Sequence, residues 1–352
     1  MSAAVRGRFA GGRGHHSKAM TRVYITIDTE CSIGGALRHP ELEPVGPERA
    51  VLGEIGGRQY GIPLIMDVLE QHSLRGTFFV EVLASRVVDA EKLGSAYREI
   101  VSRGHDAQLH LHPAYDCYRR VREGSLDRSR VNGAADLIGK YPAAIQLELL
   151  REGCRLFRGM LGRDPVAFRA GCFGANAATL EALSELGIRY DSSFNGAYCG
   201  TTCLMSSPVR VNTPWLRSRV WEVPVTNFET GLWRRRLKPC DVGAVSLMEM
   251  KRVLNQAHRL GIEAVVITMH SFTLFKVHDV QFRKLRPDNL VIRRFRGLCR
   301  FLARHRHRFE IATFGSLPSF PIGCADPVPP RMGAVLPLCR KVVQGINRAY
   351  WM

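Results

Sequence analysis

The sequence lacks three features that would place it in a common class of protein. No apolar run approaches the roughly 18 residues that a membrane-spanning helix needs. The first residues include arginine, glycine and histidine but no apolar core of a secretory signal, so we expect no export signal. Neither a GxGxxG nor a Walker A pattern is present, which argues against nucleotide binding.

Cysteine pairs with the CxxC spacing of redox and zinc motifs are also missing. The ten cysteines are scattered and include no CxxC. Together with the missing export signal, this favours reduced thiols and a cytoplasmic protein, located either free or at the inner face of the membrane. The chain is long enough for one large α/β domain, and its hydrophobic content of 45% is sufficient for a full core.

Acidic residues are too few to balance the basic ones. The 352 residues include 50 Lys and Arg against 32 Asp and Glu, which gives a net charge of +18. Basic side chains concentrate in 234–238 and 283–308, and this predicts contact with an anionic lipid or membrane surface. The alternative is a solvated helix face. Nucleic acid is a less favoured partner because no recognisable nucleic-acid motif accompanies the charge.

Strand-like and helix-like segments alternate along the chain, which predicts a largely parallel sheet closed into a barrel. An open doubly wound sheet is the alternative. Predicted strands are 22–28, 76–82, 106–112, 166–170, 188–192, 219–225, 263–270 and 309–313. Predicted helices are 61–72, 92–103, 142–162, 175–187, 246–261 and 289–305.

We expect one folded domain with two flanking segments. Residues 1–21 are a predicted flexible leader, 22–317 the barrel domain, and 318–352 a proline-rich, basic tail. The segments 31–60 and 193–218 lack clear periodicity and are predicted loops over the barrel mouth.

Two histidines separated by one residue end the third predicted strand. His110 and His112 would project to the same face because side chains alternate along a strand. Asp28 and Glu30 follow the first strand in the same way. Two imidazoles and two carboxylates at strand ends predict half of a divalent-metal site, although an isolated histidine pair can also be a satisfied pair within a sheet.

Polar residues cluster at the carboxyl ends of many predicted strands, where the active sites of (β/α) barrels lie. The residues that share this position are Asp28, Glu30, Glu81, His110, His112, Arg169, Asp191, Glu222 and His270.

In this order, the segments resemble the polysaccharide deacetylase superfamily, also called NodB-like proteins or carbohydrate esterase family 4. The resemblance covers roughly 22–317, and its most specific run is 168–194, FRAGCFGANAATLEALSELGIRYDSSF. Shorter matching pieces are TIDTE (26–30), RGHDAQLHLHP (103–113) and VITMHSF (266–272). The resemblance implies a distorted (β/α) barrel of seven or eight strands that removes an N- or O-acetyl group from a sugar with the help of a metal ion.

The resemblance also implies roles for individual residues. Asp28 matches the catalytic base, Arg169 the arginine that holds it, and His270 the general acid. Asp191 matches the acid that orients this histidine. Glu30 matches a metal carboxylate and His110 the first metal histidine. Cys172, Glu81 and Glu222 are weaker candidates for oxyanion or substrate contacts.

The sequence departs from the family pattern near the metal site. Members commonly carry a second histidine four residues after the first, where this chain has Ala114. His112 or, as the alternative, Asp116 would complete the metal site. The arginine motif, which usually includes proline and tyrosine, is Arg169-Ala170-Gly171-Cys172 here.

The sequence therefore predicts a zinc-dependent carbohydrate deacetylase, with cobalt or another divalent ion as alternatives. Its substrate would be an acetylated sugar, either lipid-linked or part of a surface glycan. The alternative function is a catalytically degenerate barrel that binds glycans without turnover.

Overall fold

The protein is described here as a computed structural model that covers residues 20–206, 211–231, 235–317, 320, 328–333 and 335–349. Most of the predicted leader, and most of the segment just after 317, lie outside these ranges. The strands are β1 (Thr21–Thr29), β2 (Glu54–Ile55), β3 (Arg58–Gln59), β4 (Thr77–Glu81), β5 (Asp106–Leu111), β6 (Ala167–Ala170), β7 (Tyr190–Asp191), β8 (Trp215–Arg217), β9 (Val220–Glu222), β10 (Asn227–Thr230), β11 (Arg236–Pro239), β12 (Ala264–His270), β13 (Phe275–Val277), β14 (Leu285–Pro287) and β15 (Phe309–Ile311). The helices are α1 (Pro47–Ala50), α2 (Ile62–Glu70), α3 (Ala90–Ser102), α4 (Ala114–Arg122), α5 (Ala143–Leu161), α6 (Ala177–Glu185), α7 (Leu247–Leu260), α8 (Asn289–Arg304) and α9 (Val335–Ala349).

The main sheet has the order β12-β1-β4-β5-β6-β7-β9-β8, and β15 pairs with the first half of β1. All of these pairs are parallel except β8 with β9. Between β9 and β12 the curled sheet is bridged by loop backbone. Thr226 donates its amide to the carbonyl of Val266 at 3.1 Å, and Thr268 donates to that of Cys240 at 3.0 Å. This architecture confirms the predicted distorted barrel.

Alternation along the strands separates two apolar layers. In β1, Val23, Ile25 and Ile27 face outward and join the large core between the sheet and its helices. Tyr24 faces the barrel interior and packs edge-on against Phe314, which closes the bottom of the barrel. The barrel interior is apolar at this end and polar near the carboxyl ends of the strands. A functional site is therefore expected at the carboxyl ends.

The helices begin where local sequence favours them. Ser246 and Glu249 form a reciprocal capping box at the start of α7, and Asn176 and Thr179 do the same for α6. Gly261 ends α7 in the left-handed conformation that glycine adopts at little cost. No helix within the described ranges is long and apolar enough to cross a membrane.

Candidate active site

A buried ion pair lies at the centre of the barrel mouth. Asp28 ends the inward face of β1, and its carboxylate accepts a hydrogen bond from the Arg169 guanidinium at 2.7 Å. Arg169 is fully buried and also donates to Thr26 and to both oxygens of Ser192. Burial opposes ionisation of Asp28, yet the charge of Arg169 holds the pKa of this carboxyl below its usual value.

Beside this pair, one carboxylate and two imidazoles converge. The Glu30 Oε2 atom lies 3.1 Å from His110 Nε2 and 2.6 Å from His112 Nε2. These ligand atoms all lie within 4.8 Å of one another. Two histidines and a carboxylate form a donor set that catalytic zinc uses, so these residues fit a divalent metal ion.

The second nitrogen of each imidazole has its own partner. His110 Nδ1 lies 2.7 Å from the carbonyl oxygen of Arg169, which can only accept, so Nδ1 carries the proton. His112 Nδ1 lies 2.7 Å from a carboxylate oxygen of Asp136. Such contacts fix the ring orientation and leave each Nε2 directed toward Glu30, the arrangement expected around a metal ion.

Charge around His112 is concentrated. Burial alone would favour the neutral ring, but the carboxylates of Asp136 and Glu30 raise the pKa of His112 well above its usual value. Burial likewise opposes ionisation of Glu30, and the charge of His112 helps to hold the pKa of Glu30 well below its usual value. A cation is therefore favoured at this point of the barrel.

Gly171 lies directly against the His112 ring. A Cβ atom added at Gly171 would lie 2.6 Å from His112 Nδ1, which is closer than real Cβ atoms approach another atom. The contacts of the His112 ring with the carboxylates of Glu30 and Asp136 leave it little freedom to move aside. The glycine of the arginine motif is thus a steric requirement for the position of this histidine.

His270 ends β12 in register with Asp28 on β1. Two residues earlier on the same strand face, Thr268 donates to Asp241 at 3.4 Å. Burial raises the pKa of Asp241, and the charge of His270 acts in the opposite direction. Asp241, in the loop before α7, is therefore an acid placed to interact with His270.

Asp191, the acid assigned to His270 from the sequence, has other neighbours. It is fully buried, accepts from the Ser193 hydroxyl at 2.6 Å, and lies beside Glu222 on the next strand. Burial raises the pKa of both carboxyls, and the charge of Asp191 raises that of Glu222 further. Among the described residues, neither Asp191 Oδ2 nor Glu222 Oε2 has a hydrogen-bond partner, and the raised pKa values favour a protonated carboxyl in this pair.

Glu81 and Asp116 also lie apart from the reacting face. Glu81 is fully buried and accepts from the backbone amides of Leu83, Ala84 and His112, while burial raises its pKa to about 8. Asp116, the alternative metal ligand, lies on α4 in an ion pair of 2.7 Å with Arg119.

An aromatic rim follows Gly171. Cys172 and Phe173 both have positive φ angles, 53° and 59°, which non-glycine residues rarely adopt and which cluster at functional sites. The exposed Cys172 thiol lies 3.6 Å from Asp136. The Phe173 ring stacks on that of Tyr198, with centroids 5.7 Å apart and an interplanar angle of 15°. Burial raises the pKa of Tyr198, and the Asp241 charge raises it further.

Sequence reasoning missed Asp136, Asp241 and Tyr198. Asp136 ends a 3₁₀ turn, Gly133–Asp136, in a segment without periodicity. Asp241 follows a short hairpin strand, and Tyr198 lies in a 3₁₀ turn of a predicted loop. Of these three residues, only Asp241 could have been noticed in the sequence, because it lies shortly before a helix cap.

Comparison with solved structures supports the barrel fold described above. A Mycobacterium smegmatis protein assigned to the polysaccharide deacetylases is 16% identical, with 85% of this chain and 88% of that chain covered, at a TM-score of 0.53. A family 4 carbohydrate esterase from Streptomyces lividans is 13% identical, with 89% of this chain and 100% of that one covered, at a TM-score of 0.41. No protein-family model and no curated protein matches the sequence. The chain thus has the fold of the polysaccharide deacetylases, and its sequence is a divergent example of that fold.

Proposed function

We propose that this protein is a metal-dependent hydrolase that removes an acetyl group from a carbohydrate. The observation that supports this most strongly is the convergence of Glu30, His110 and His112 beside the buried Asp28–Arg169 pair. One part offers the ligands for a divalent cation, and the other holds an ionised carboxylate on which the charge of His110 acts. Together they provide a metal-binding group and a general base, both of which the hydrolysis of an unreactive amide or ester needs.

Asp28 is the general base in this proposal. A divalent ion held by Glu30, His110 and His112 would supply Lewis acidity and would lower the pKa of water to about 7. Asp28 takes the proton from the attacking water, and Arg169 keeps the carboxylate ionised and oriented. The guanidinium is itself fixed by stacking over the Phe79 ring, with Cζ 4.2 Å from the centroid.

His270 is the general acid that protonates the leaving amine or alcohol. It lies across the mouth from the metal-binding residues, at the end of the strand that pairs with β1. Asp241 is the carboxylate proposed to orient this imidazole, since the charge of His270 acts on the Asp241 carboxyl. The backbone amide of Cys172 is the proposed oxyanion donor, and one such donor contributes roughly 3–4 kcal/mol to lowering the barrier.

The proposed substrate is an acetylated sugar that enters over the aromatic rim. Tyr198 is 40% exposed and stacked on Phe173, so one of its faces is available to the apolar face of a pyranose ring. We further propose a lipid-linked or surface-glycan substrate and a cytoplasmic location at the inner membrane face. Zinc is the proposed ion because the donor set is two histidines and a carboxylate, a set that cobalt also accepts.

Acetate release tests this proposal. Purified protein loaded with zinc should release acetate from N-acetylglucosamine oligomers, and Asp28→Asn should lower kcat by at least about 10²-fold because the base is lost. The matched control is Asp164→Asn, which removes an exposed aspartate that pairs with Arg158 at 2.7 Å, far from the mouth. Circular dichroism and metal content of both variants show whether each is folded.

Two results would contradict the proposal. Full activity of folded Asp28→Asn would exclude this residue as the base. Glycan binding without any acetate release, under every metal loading, would favour the alternative of a degenerate barrel that binds sugars.

A further inference from the structure

The outer face of α8 carries a continuous row of arginines. Arg293, Arg296, Arg300 and Arg304 are all exposed, while the opposite face of the helix packs in the core. At 100° per residue these four lie within an arc of about 80°, and they span about 16 Å of the helix axis. We call these four residues the arginine face.

The arginine face has no neutralising partners of its own. The α8 sequence, NLVIRRFRGLCRFLAR, contains no acidic residue. Among the residues that the structure describes, no carboxylate lies within 4.0 Å of any of the four guanidinium groups. Other exposed arginines are paired, as Arg151 is with Glu185 at 3.2 Å and Arg155 with Glu152 at 2.8 Å on α5.

The row works against the stability of the helix. Like charges three and four residues apart on a helix repel one another, and the arginine face has three such neighbouring pairs. Its field extends to adjacent elements, because burial and then the charges of Arg300 and Arg304 lower the pKa of His72, just after α2. Core packing needs only the other face of α8, so packing gives no reason for this repulsion.

We propose that the arginine face is a docking surface for an anionic lipid membrane. A straight, convex row of guanidinium groups complements a broad plane of phosphate and carboxylate groups better than it does a small ligand, which needs a concave site. The inference goes beyond the proposed catalytic function and does not depend on it, because the arginine face lies outside the barrel mouth.

Vesicle binding tests the proposal in the full-length protein. The protein should bind vesicles of phosphatidylcholine mixed with phosphatidylserine, and binding should weaken as salt screens the charges. Arg296→Gln/Arg300→Gln should lower the partition coefficient by about 30-fold, since each arginine near an anionic surface contributes about fivefold. Vesicles of phosphatidylcholine alone should bind neither protein.

The matched control is Arg151→Gln/Arg155→Gln, which changes net charge equally on the paired face of α5. Little change in this control supports the proposal, whereas an equal loss would show that net charge alone drives binding and would overturn it. Tighter, salt-sensitive binding to RNA or DNA than to vesicles would also overturn it in favour of a nucleic-acid partner. Because these readouts need no turnover, they are independent of whether the chain proves to be a deacetylase.

Discussion

His112 is the residue through which this site departs most from the family pattern. Its ring lies between two carboxylates, with Nε2 2.6 Å from Glu30 and Nδ1 2.7 Å from Asp136. Asp136 also accepts from the Ala114 amide at 3.2 Å, so it joins the histidine to the start of α4. A histidine at this position is held firmly enough to act as a metal ligand.

Asp136→Asn should weaken zinc binding by about 10–100-fold, because a carboxylate that holds a ligating histidine fixes the ring and increases its basicity. Isothermal titration calorimetry with zinc measures this change. Asp116→Asn is the control, since that aspartate pairs with Arg119 on α4 and should leave the affinity unchanged. A larger loss in Asp116→Asn would instead make Asp116 the missing ligand.

Asp241→Asn should lower kcat, because it removes the carboxylate proposed to orient His270. General acid catalysis contributes about 10²–10⁴-fold, and loss of this orientation should remove part of that factor. Asp191→Asn is the comparison, and steady-state kinetics should show a smaller loss of kcat in it. The reverse pattern would restore the assignment of Asp191 made from the sequence.

The sequence was sufficient to predict the residues that lie on strands but not those brought by loops. Asp28, His110, Arg169 and His270 lie on β1, β5, β6 and β12, where strand alternation fixes their direction. Asp136 and Asp241 reach the mouth through turns whose course depends on tertiary packing. No periodicity marks such positions, so only the structure shows how close they lie to the site.

At the scale of elements, strand patterns predicted the barrel well. The segment predicted as 22–28 is β1 (Thr21–Thr29), and 263–270 is β12 (Ala264–His270). Helix α4 (Ala114–Arg122) was not predicted, because it has only nine residues and includes three arginines. A helix this short is marginal in isolation and depends on tertiary contacts such as the one from Asp136.

The pairing of β7 with β9 makes a pH-dependent prediction about stability. Asp191 and Glu222 have raised pKa values in the folded chain. The folded state therefore loses stability relative to the unfolded chain as the pH rises above the ordinary pKa values of these carboxyls. Glu222→Gln gives Asp191 an amide donor and should raise the free energy of unfolding by about 1 kcal/mol near neutral pH. The gain should shrink toward about pH 3, below the ordinary pKa values of about 3.9 and 4.3, where both carboxyls are largely protonated in either state.

Denaturant melts of the wild-type and Glu222→Gln proteins across this pH range measure the gain. Glu310→Gln on β15 is the control, because that side chain is 47% exposed and its ion pair with Arg22 contributes little. A gain in Glu222→Gln that did not vary with pH would argue against a protonated carboxyl in this pair.

At the scale of the whole molecule, the C-terminal helix is part of the folded structure. Arg340 on α9 is buried and lies 3.2 Å from the fully buried Glu249 of α7. The same arginine donates to the carbonyl of Ala244 at 2.9 Å, three residues after Asp241. Helix α9 therefore supports the loop that carries an acid of the barrel mouth.

Arg340→Leu should destabilise the protein by about 3–5 kcal/mol, because it leaves the Glu249 charge buried without its partner. Thermal unfolding measures this loss. Arg331→Leu is the control, since Arg331 is 54% exposed and its ion pair with Glu229 contributes at most about 1 kcal/mol. Equal effects of the two substitutions would mean that α9 does not stabilise the barrel.

Gly171 limits which substitutions this site can accept. Because a side chain at 171 would collide with the His112 ring, a histidine at 112 requires glycine at 171, whereas glycine at 171 accepts other residues at 112. A descendant that gained a side chain at 171 would first have to release His112. Sequences of this fold that carry the HxH pattern should therefore carry glycine after Arg-Ala as well.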